Sequence, residues 1–249
     1  MIQEIAMDWF FAKQLGNIGD THLITGDDAQ HITKSLRMSV GEVITLCDEN
    51  QIGHLCKIER INSDGVLVRI STKEECSHEP DVFVTLYFAL TKGDKPDTVI
   101  QKSIELGASE IVPVLTDRCI SRPDKKGADN KLQRYRKIAL QAAMQSRRGI
   151  MPLVRPLTEL KKAAEELDGY DKIILFYEGG GEPIRSLIKP GDRKIAVLIG
   201  PEGGFEEKEV ALLQSKGACT ATLGKRILRA ETAPLAALTA IMLITGNLE

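Results

Sequence analysis

Ile195-Ala-Val-Leu-Ile-Gly-Pro-Glu-Gly-Gly-Phe205 is an apolar run that stops abruptly in glycines and one proline. Strand formers broken by glycines and followed by a helical pattern are how α/β enzymes build a ligand-binding edge. A second break, Leu223-Gly-Lys-Arg-Ile-Leu-Arg-Ala-Glu-Thr-Ala-Pro-Leu235, follows about twenty residues later and opens an apolar helix. Two such turns so close in sequence predict adjacent loops converging on one ligand.

Working outward, strands and helices alternate. Val82–Leu90 is apolar enough to be a strand buried on both faces. A helix is expected over 97–106, with Asp94 as N-cap and Gly107 as its stop. A strand at 111–115, a long helix at 130–146 and a helix at 158–167 follow. Strands at 172–177, 194–199 and 219–223 then alternate with helices at 206–216 and 231–245. Such alternation predicts a mostly parallel sheet covered on both faces.

The first eighty residues have another rhythm. Short strands at 42–47, 53–58 and 65–70 are separated by turn residues, and Ala29, Ile32, Leu36 and Val40 recur at helical spacing over 28–38. Several short strands with one small helix suggest a compact β-barrel. Thr72–Pro80 is polar and ends in proline, which places a boundary between an N-terminal domain, 1–79, and a C-terminal one, 80–249.

Hydrophobic content of 43% and charged content of 27% are those of a soluble globular protein. The net charge of −2 conceals a local excess, because residues 118–148 hold ten Lys or Arg against two Asp. That stretch is either a solvated face or the footprint of an anionic partner. Five scattered cysteines and four unclustered histidines support neither a disulfide framework nor a metal site. No apolar run approaches membrane-spanning length, and the N-terminus lacks the pattern of a signal peptide. These features predict a cytoplasmic protein with reduced thiols and no membrane partner.

The loop Gly200–Gly204 has neither a Lys-Ser/Thr ending nor the spacing of a dinucleotide fingerprint. Pro201 removes a backbone donor and Glu202 repels phosphate, so a cationic or neutral ligand with an adenine-like face suits it better than a nucleotide triphosphate or NAD. A tight turn without a ligand is the plainer alternative. Arg229 and Glu231, at the mouth of the last helix, form either a local ion pair or part of a ligand edge, and Glu231 or Thr232 could cap that helix.

Taken together, these blocks resemble the RsmE family of ribosomal RNA methyltransferases, of the SPOUT (α/β-knot) class. The match is carried by Leu36-Arg-Met38 followed by Gly41, and by Lys92-Gly-Asp-Lys95 leading into Ile100–Gly107. It continues through Gln145-Ser-x-Arg148 with Pro152, Ile199–Phe205, and Leu223-Gly-x-Arg-Ile-Leu-Arg-x-Glu-Thr-Ala233. The blocks span nearly the whole chain in family order.

The resemblance implies transfer of a methyl group from S-adenosylmethionine (SAM) to N3 of a uridine in 16S ribosomal RNA of the small subunit. It also implies a PUA-like N-terminal β-barrel that helps bind RNA, a C-terminal domain tied in a trefoil knot, and a homodimer. Carried onto this sequence, the cofactor set is Glu178, Ile199, Gly200, Pro201, Glu202, Gly203, Gly204, Leu223, Gly224, Ile227, Leu228, Arg229, Thr232 and Ala233. Arg229 and Glu231 are the expected catalytic residues. His31, Arg37, Lys92, Lys95, Arg122, Arg147 and Arg148 are the expected RNA contacts. A related knotted enzyme acting on a different RNA, or a non-catalytic RNA-binding protein, would share parts of this pattern. The chain departs from the family at Met144, where an acidic residue is common, at Pro96–Val99, and in the glycine-rich Glu178–Glu182.

Overall fold

The computed structural model describes residues 8–248; residues 1–7, the start of the expected N-terminal domain, lie outside the described residues. The chain divides into two compact units. One holds the described residues up to Glu79 together with Ala143–Met151, and the other holds Pro80–Ala142 and Pro152 onward.

The first unit is built on β1 (Trp9–Phe11), β2 (Thr21–Ile24), β3 (Val43–Cys47), β4 (Ile52–Asn62) and β5 (Gly65–Glu75). They form one sheet in the order β1-β3-β4-β5-β2, parallel between β1 and β3 and otherwise antiparallel. Among the described residues β1 and β2 are the edges of this ladder. Phe10, Ile44, Ile58, Val66 and Val68 make the core, completed by Ala29 from α1 (Gly26–Gln30) and Ile32 from the π-helical turn His31–Ser35. Met144 packs against the same core, which accounts for an apolar residue at that departure from the family pattern.

The second unit alternates as expected. Its elements are β6 (Phe83–Ala89), α2 (Lys95–Glu105), β7 (Glu110–Leu115), α3 (Lys125–Gln145), β8 (Leu153–Val154), β9 (Thr158–Glu159), α4 (Leu160–Glu165) and β10 (Lys172–Phe176). Then come β11 (Glu182–Pro183), α5 (Ile184–Leu187), β12 (Lys194–Ile199), α6 (Glu207–Ser215), β13 (Cys219–Thr222) and α7 (Ala233–Ile244). The sheet runs β11-β13-β10-β12-β6-β7-β8, every pairing parallel. Val84–Leu90, Ile173–Phe176 and Ile195–Ile199 are buried throughout, as a sheet covered on both faces requires; only Phe83 emerges at the start of β6.

One crossing stands out. β10 and β11 are joined directly by residues 177–181, yet β13 lies between them. The connection spans two strand spacings, about 9.6 Å, over a strand that arrives later in the chain. Gly181 makes the crossing possible, because a Cβ there would lie 2.5 Å from the carbonyl carbon of Thr220 and 2.6 Å from the Ala221 nitrogen.

Helix starts differ in detail from expectation. Asp94 occupies the N-cap of α2, but its carboxylate pairs with Arg134 instead of capping. Thr232 is the N-cap of α7 without a side-chain cap bond. The Glu206–Glu209 capping box at the start of α6 is complete.

Candidate active site

Parallel strands leave all their following loops at one edge of the sheet. Here the loops after β10, β12 and β13 enclose a cleft of about 520 Å³, inside the usual range for a small-molecule site. Tyr177, Glu178 and Gly180 line it from the first loop, Gly200–Gly204 from the second, and Leu223–Ala230 from the third, with Ala233 at the head of α7.

The second loop is a tight turn closed by the Gly204 N–H donating to the Pro201 carbonyl (2.9 Å). Gly204 has φ +70° and sits under the Glu178 carboxylate, so both its conformation and its missing Cβ are used. The loop is fastened from outside. Arg118, just after β7, donates from one guanidinium nitrogen to the Gly203 carbonyl (2.6 Å) and from Nε to Glu206 (2.9 Å). Glu209 accepts the Asp117 N–H (2.9 Å) and the Glu206 N–H (2.9 Å), which ties the same two segments together.

The third loop starts at the end of β13 and finishes beside the start of α2, three strand positions away, about 14 Å. It therefore passes over the ends of β10 and β12 and roofs the cleft. Its last turn is set by the Arg229 carbonyl, which accepts the N–H groups of Thr232 and Ala233 (both 2.9 Å). Ile227 is 92% exposed and the Arg229 side chain 82%, so both reach solvent at the mouth.

Between the second and third loops runs a chain of alternating charge. Lys95 Nζ lies 2.7 Å from Glu202 and 3.5 Å from Glu231 Oε2, and Arg229 approaches the other Glu231 oxygen at 4.0 Å. Glu231 Oε2 is buried and accepts no hydrogen bond. Burial pushes the Glu202 carboxyl up, but the Lys95 hydrogen bond, a backbone N–H and the nearby lysines outweigh it and hold it below the usual range. The Glu202 hydrogen bond raises Lys95 in turn.

Of the residues expected to hold a cofactor, all line this cleft except Thr232, which faces solvent. Glu231 is outside the lining and turned to Lys95. The expected RNA contacts scatter. His31, Arg37 and Lys92 are exposed; Arg122 is exposed but donates to the Thr116 carbonyl (2.6 Å). Arg147 is half-buried with φ +54°. Arg148 must be corrected: it is 2% exposed, paired with Glu79, and offers no guanidinium to a phosphate. Sequence reasoning missed Tyr177, Lys225 and Arg226 in the lining, although each adjoins a residue it named. It also missed the fastening role of Arg118, whose partners 85 and 88 residues away left no local signal.

An RNA methyltransferase domain model matches residues 78–242, and an RNA methyltransferase PUA domain model matches residues 24–71. Ribosomal RNA small subunit methyltransferase E of Bacillus subtilis is 34% identical over 92% of this chain and 92% of its own. The protein of that name from Buchnera aphidicola is 27% identical over 93% and 91%. A crystal structure of the Neisseria gonorrhoeae ribosomal RNA small subunit methyltransferase E, bound to S-adenosyl methionine, superposes with a TM-score of 0.87 at 30% identity, covering 96% of this chain and 98% of the other. With matching domain models over most of the chain and relatives aligned nearly end to end, this protein belongs to the ribosomal RNA small subunit methyltransferase E family of RNA methyltransferases.

Proposed function

We propose that this protein transfers the methyl group of SAM to N3 of a uridine in 16S ribosomal RNA of the small subunit. The observation that carries the reading is the cleft itself, three strand-end loops closing on one space lined by glycines, apolar side chains and the carboxylates Glu178 and Glu202.

The residues present fit SAM. Glycines of the second loop leave backbone N–H and C=O groups open to an adenine edge, while Ile199, Leu223 and Leu228 supply apolar cover. Glu178 and Glu202 place negative charge beside a sulfonium and an ammonium group; Lys225 and Arg226 offer partners for the carboxylate. When bound, SAM supplies an electrophilic methyl group on a sulfonium sulfur.

The chain's own residues must orient the uracil and manage its charge. Arg229, exposed at the mouth, is placed to meet charge developing on a uracil oxygen. Glu231, held between Lys95 (3.5 Å) and Arg229 (4.0 Å), is the carboxylate we assign to assist proton loss beside it. His31, Arg37, Lys92, Arg122 and Arg147 remain the proposed RNA contacts. Two copies pair through α7, whose outward face (Ala236, Thr239, Ala240, Leu243) carries no charge. The trefoil knot implied by the resemblance is supported by β13 lying between β10 and β11 under Gly181.

The test is transfer of tritiated methyl from SAM to unmethylated small subunits and, separately, to free 16S RNA, followed by nucleoside analysis. N3-methyluridine is expected. A different methylated nucleoside, or cofactor binding without transfer to either substrate, overturns the assignment. In the same assay Arg229→Ala should lower kcat roughly a hundredfold at saturating SAM, with SAM affinity measured separately.

A further inference from the structure

We infer that Lys95 is a positioning residue for the cofactor cleft: it bridges Glu202 of the second loop and Glu231 of the third, and so holds the roof onto the floor. This rests on the reading of the cleft as the SAM site, and it replaces the RNA contact expected from the sequence.

The geometry is direct. Lys95 is the first residue of α2, so its backbone is fixed by a helix packed against α7, with Pro96, Val99 and Ile100 buried. Its side chain is only 33% exposed, and Nζ is 2.7 Å from Glu202 and 3.5 Å from Glu231. The two carboxylates come from loops that follow different strands, β12 and β13, and share no hydrogen bond with each other among those described. Without Lys95 the two carboxylates lose the one cation they share, leaving Arg229 on Glu231 alone and Lys92 near Glu202 alone, so nothing would draw the two loops together across the seam. Lys92, three residues earlier, is exposed and free for an outside anion, whereas Lys95 already holds its anions.

A phosphate contact and a bridge predict different things. Loss of a phosphate contact weakens RNA binding and lowers its salt slope by about one. Loss of the bridge loosens both loops and weakens the cofactor instead. With Lys95→Met we expect the SAM Kd to rise roughly fivefold, the scale of a partly exposed networked ion pair, with the RNA salt slope unchanged. Lys95→Arg should restore affinity. Glu202→Gln combined with Lys95→Met should cost less than the product of the single effects, because both changes break the same bridge.

Amide hydrogen exchange on the ligand-free protein gives an arm independent of SAM. Lys95→Met should speed exchange at Gly203, Gly204 and Thr232 together, leaving the strands unchanged. If wild-type protein fails to bind SAM, the functional reading falls and the exchange arm still decides the bridge. Unchanged exchange in both loops, strictly multiplicative single effects, or a lowered RNA salt slope with unaltered SAM affinity would each overturn the inference.

Discussion

Arg147 and Arg148 are neighbours of the same type, and sequence alone gave no reason to separate them. The fold does. Arg148 Nε and its second nitrogen reach Glu79 at 2.8 and 2.6 Å, and Glu79 also accepts the N–H groups of Gly149 (2.8 Å) and Ile150 (3.0 Å). The Arg148 carbonyl takes the Trp9 indole N–H at 3.0 Å. A carboxylate satisfied four times over by one short segment is a fastening inside the first unit, and the charge is spent there. Removing that carboxylate deletes two charge-assisted hydrogen bonds and leaves two backbone N–H groups without their acceptor, losses that together cost about 3–5 kcal/mol. Glu79→Leu should therefore lower the urea-unfolding free energy by about that amount, and Arg147→Met by well under 1 kcal/mol. Equal, small losses in both variants would show that Arg148 is not held as described. Cys47 and Cys76 teach the same lesson. Far apart in sequence, their sulfurs lie 3.4 Å apart as free thiols, a proximity no spacing rule could have signalled.

Among elements, the parallel sheet of the second unit was the most legible part of the chain. The strand expected at 194–199 has those limits, because five residues buried on both faces, Ile195–Ile199, leave an unbroken apolar signal between Lys194 and Gly200. The polar ends of β4 and β5 were missed for the opposite reason. Residues 71–75 are all exposed, so the hairpin continues by backbone pairing with no alternation to betray it. β1 and β2 are short edge strands and gave still less. The cleft loops were visible as glycine-bearing motifs, but not the crossing of 177–181 over β13, since strand order is a tertiary fact. That crossing carries a prediction. Gly181→Ala places a methyl group against the backbone of Thr220 and Ala221, where no side-chain rotation relieves it. Overpacking of this kind costs about 1–3 kcal/mol. The loss should localise, with faster hydrogen exchange in β13 and weaker SAM binding while β6 and β7 keep their protection; a variant matching wild type in β13 exchange would contradict the crossing.

At the scale of the whole molecule, α7 is the element that the single chain leaves unfinished. Its twelve residues contain no charge, and Pro234, Ala237, Leu238, Ile241 and Met242 are buried on one side. The other side, Ala236, Thr239, Ala240 and Leu243, repeats at i, i+3, i+4 and i+7, with Leu243 56% exposed and Ile244 37%. A soluble helix ordinarily turns a polar face to water, and a contiguous apolar face left open marks an interaction surface. A second copy is the proposed occupant, because an uncharged, self-complementary stripe suits a two-fold contact in which the same residues meet. Sedimentation equilibrium at micromolar concentration should give about twice the chain mass of 27.4 kDa. Thr239→Arg with Leu243→Arg should give the single-chain mass, since four guanidinium groups would face one another across the axis without partners. Both substituted positions are on the open side, so the urea midpoint measured at low protein concentration should move little, which separates lost pairing from lost folding. A wild-type protein that sediments as one chain, or a doubly substituted one that still sediments as two, would remove α7 from the interface and require another partner for its open face.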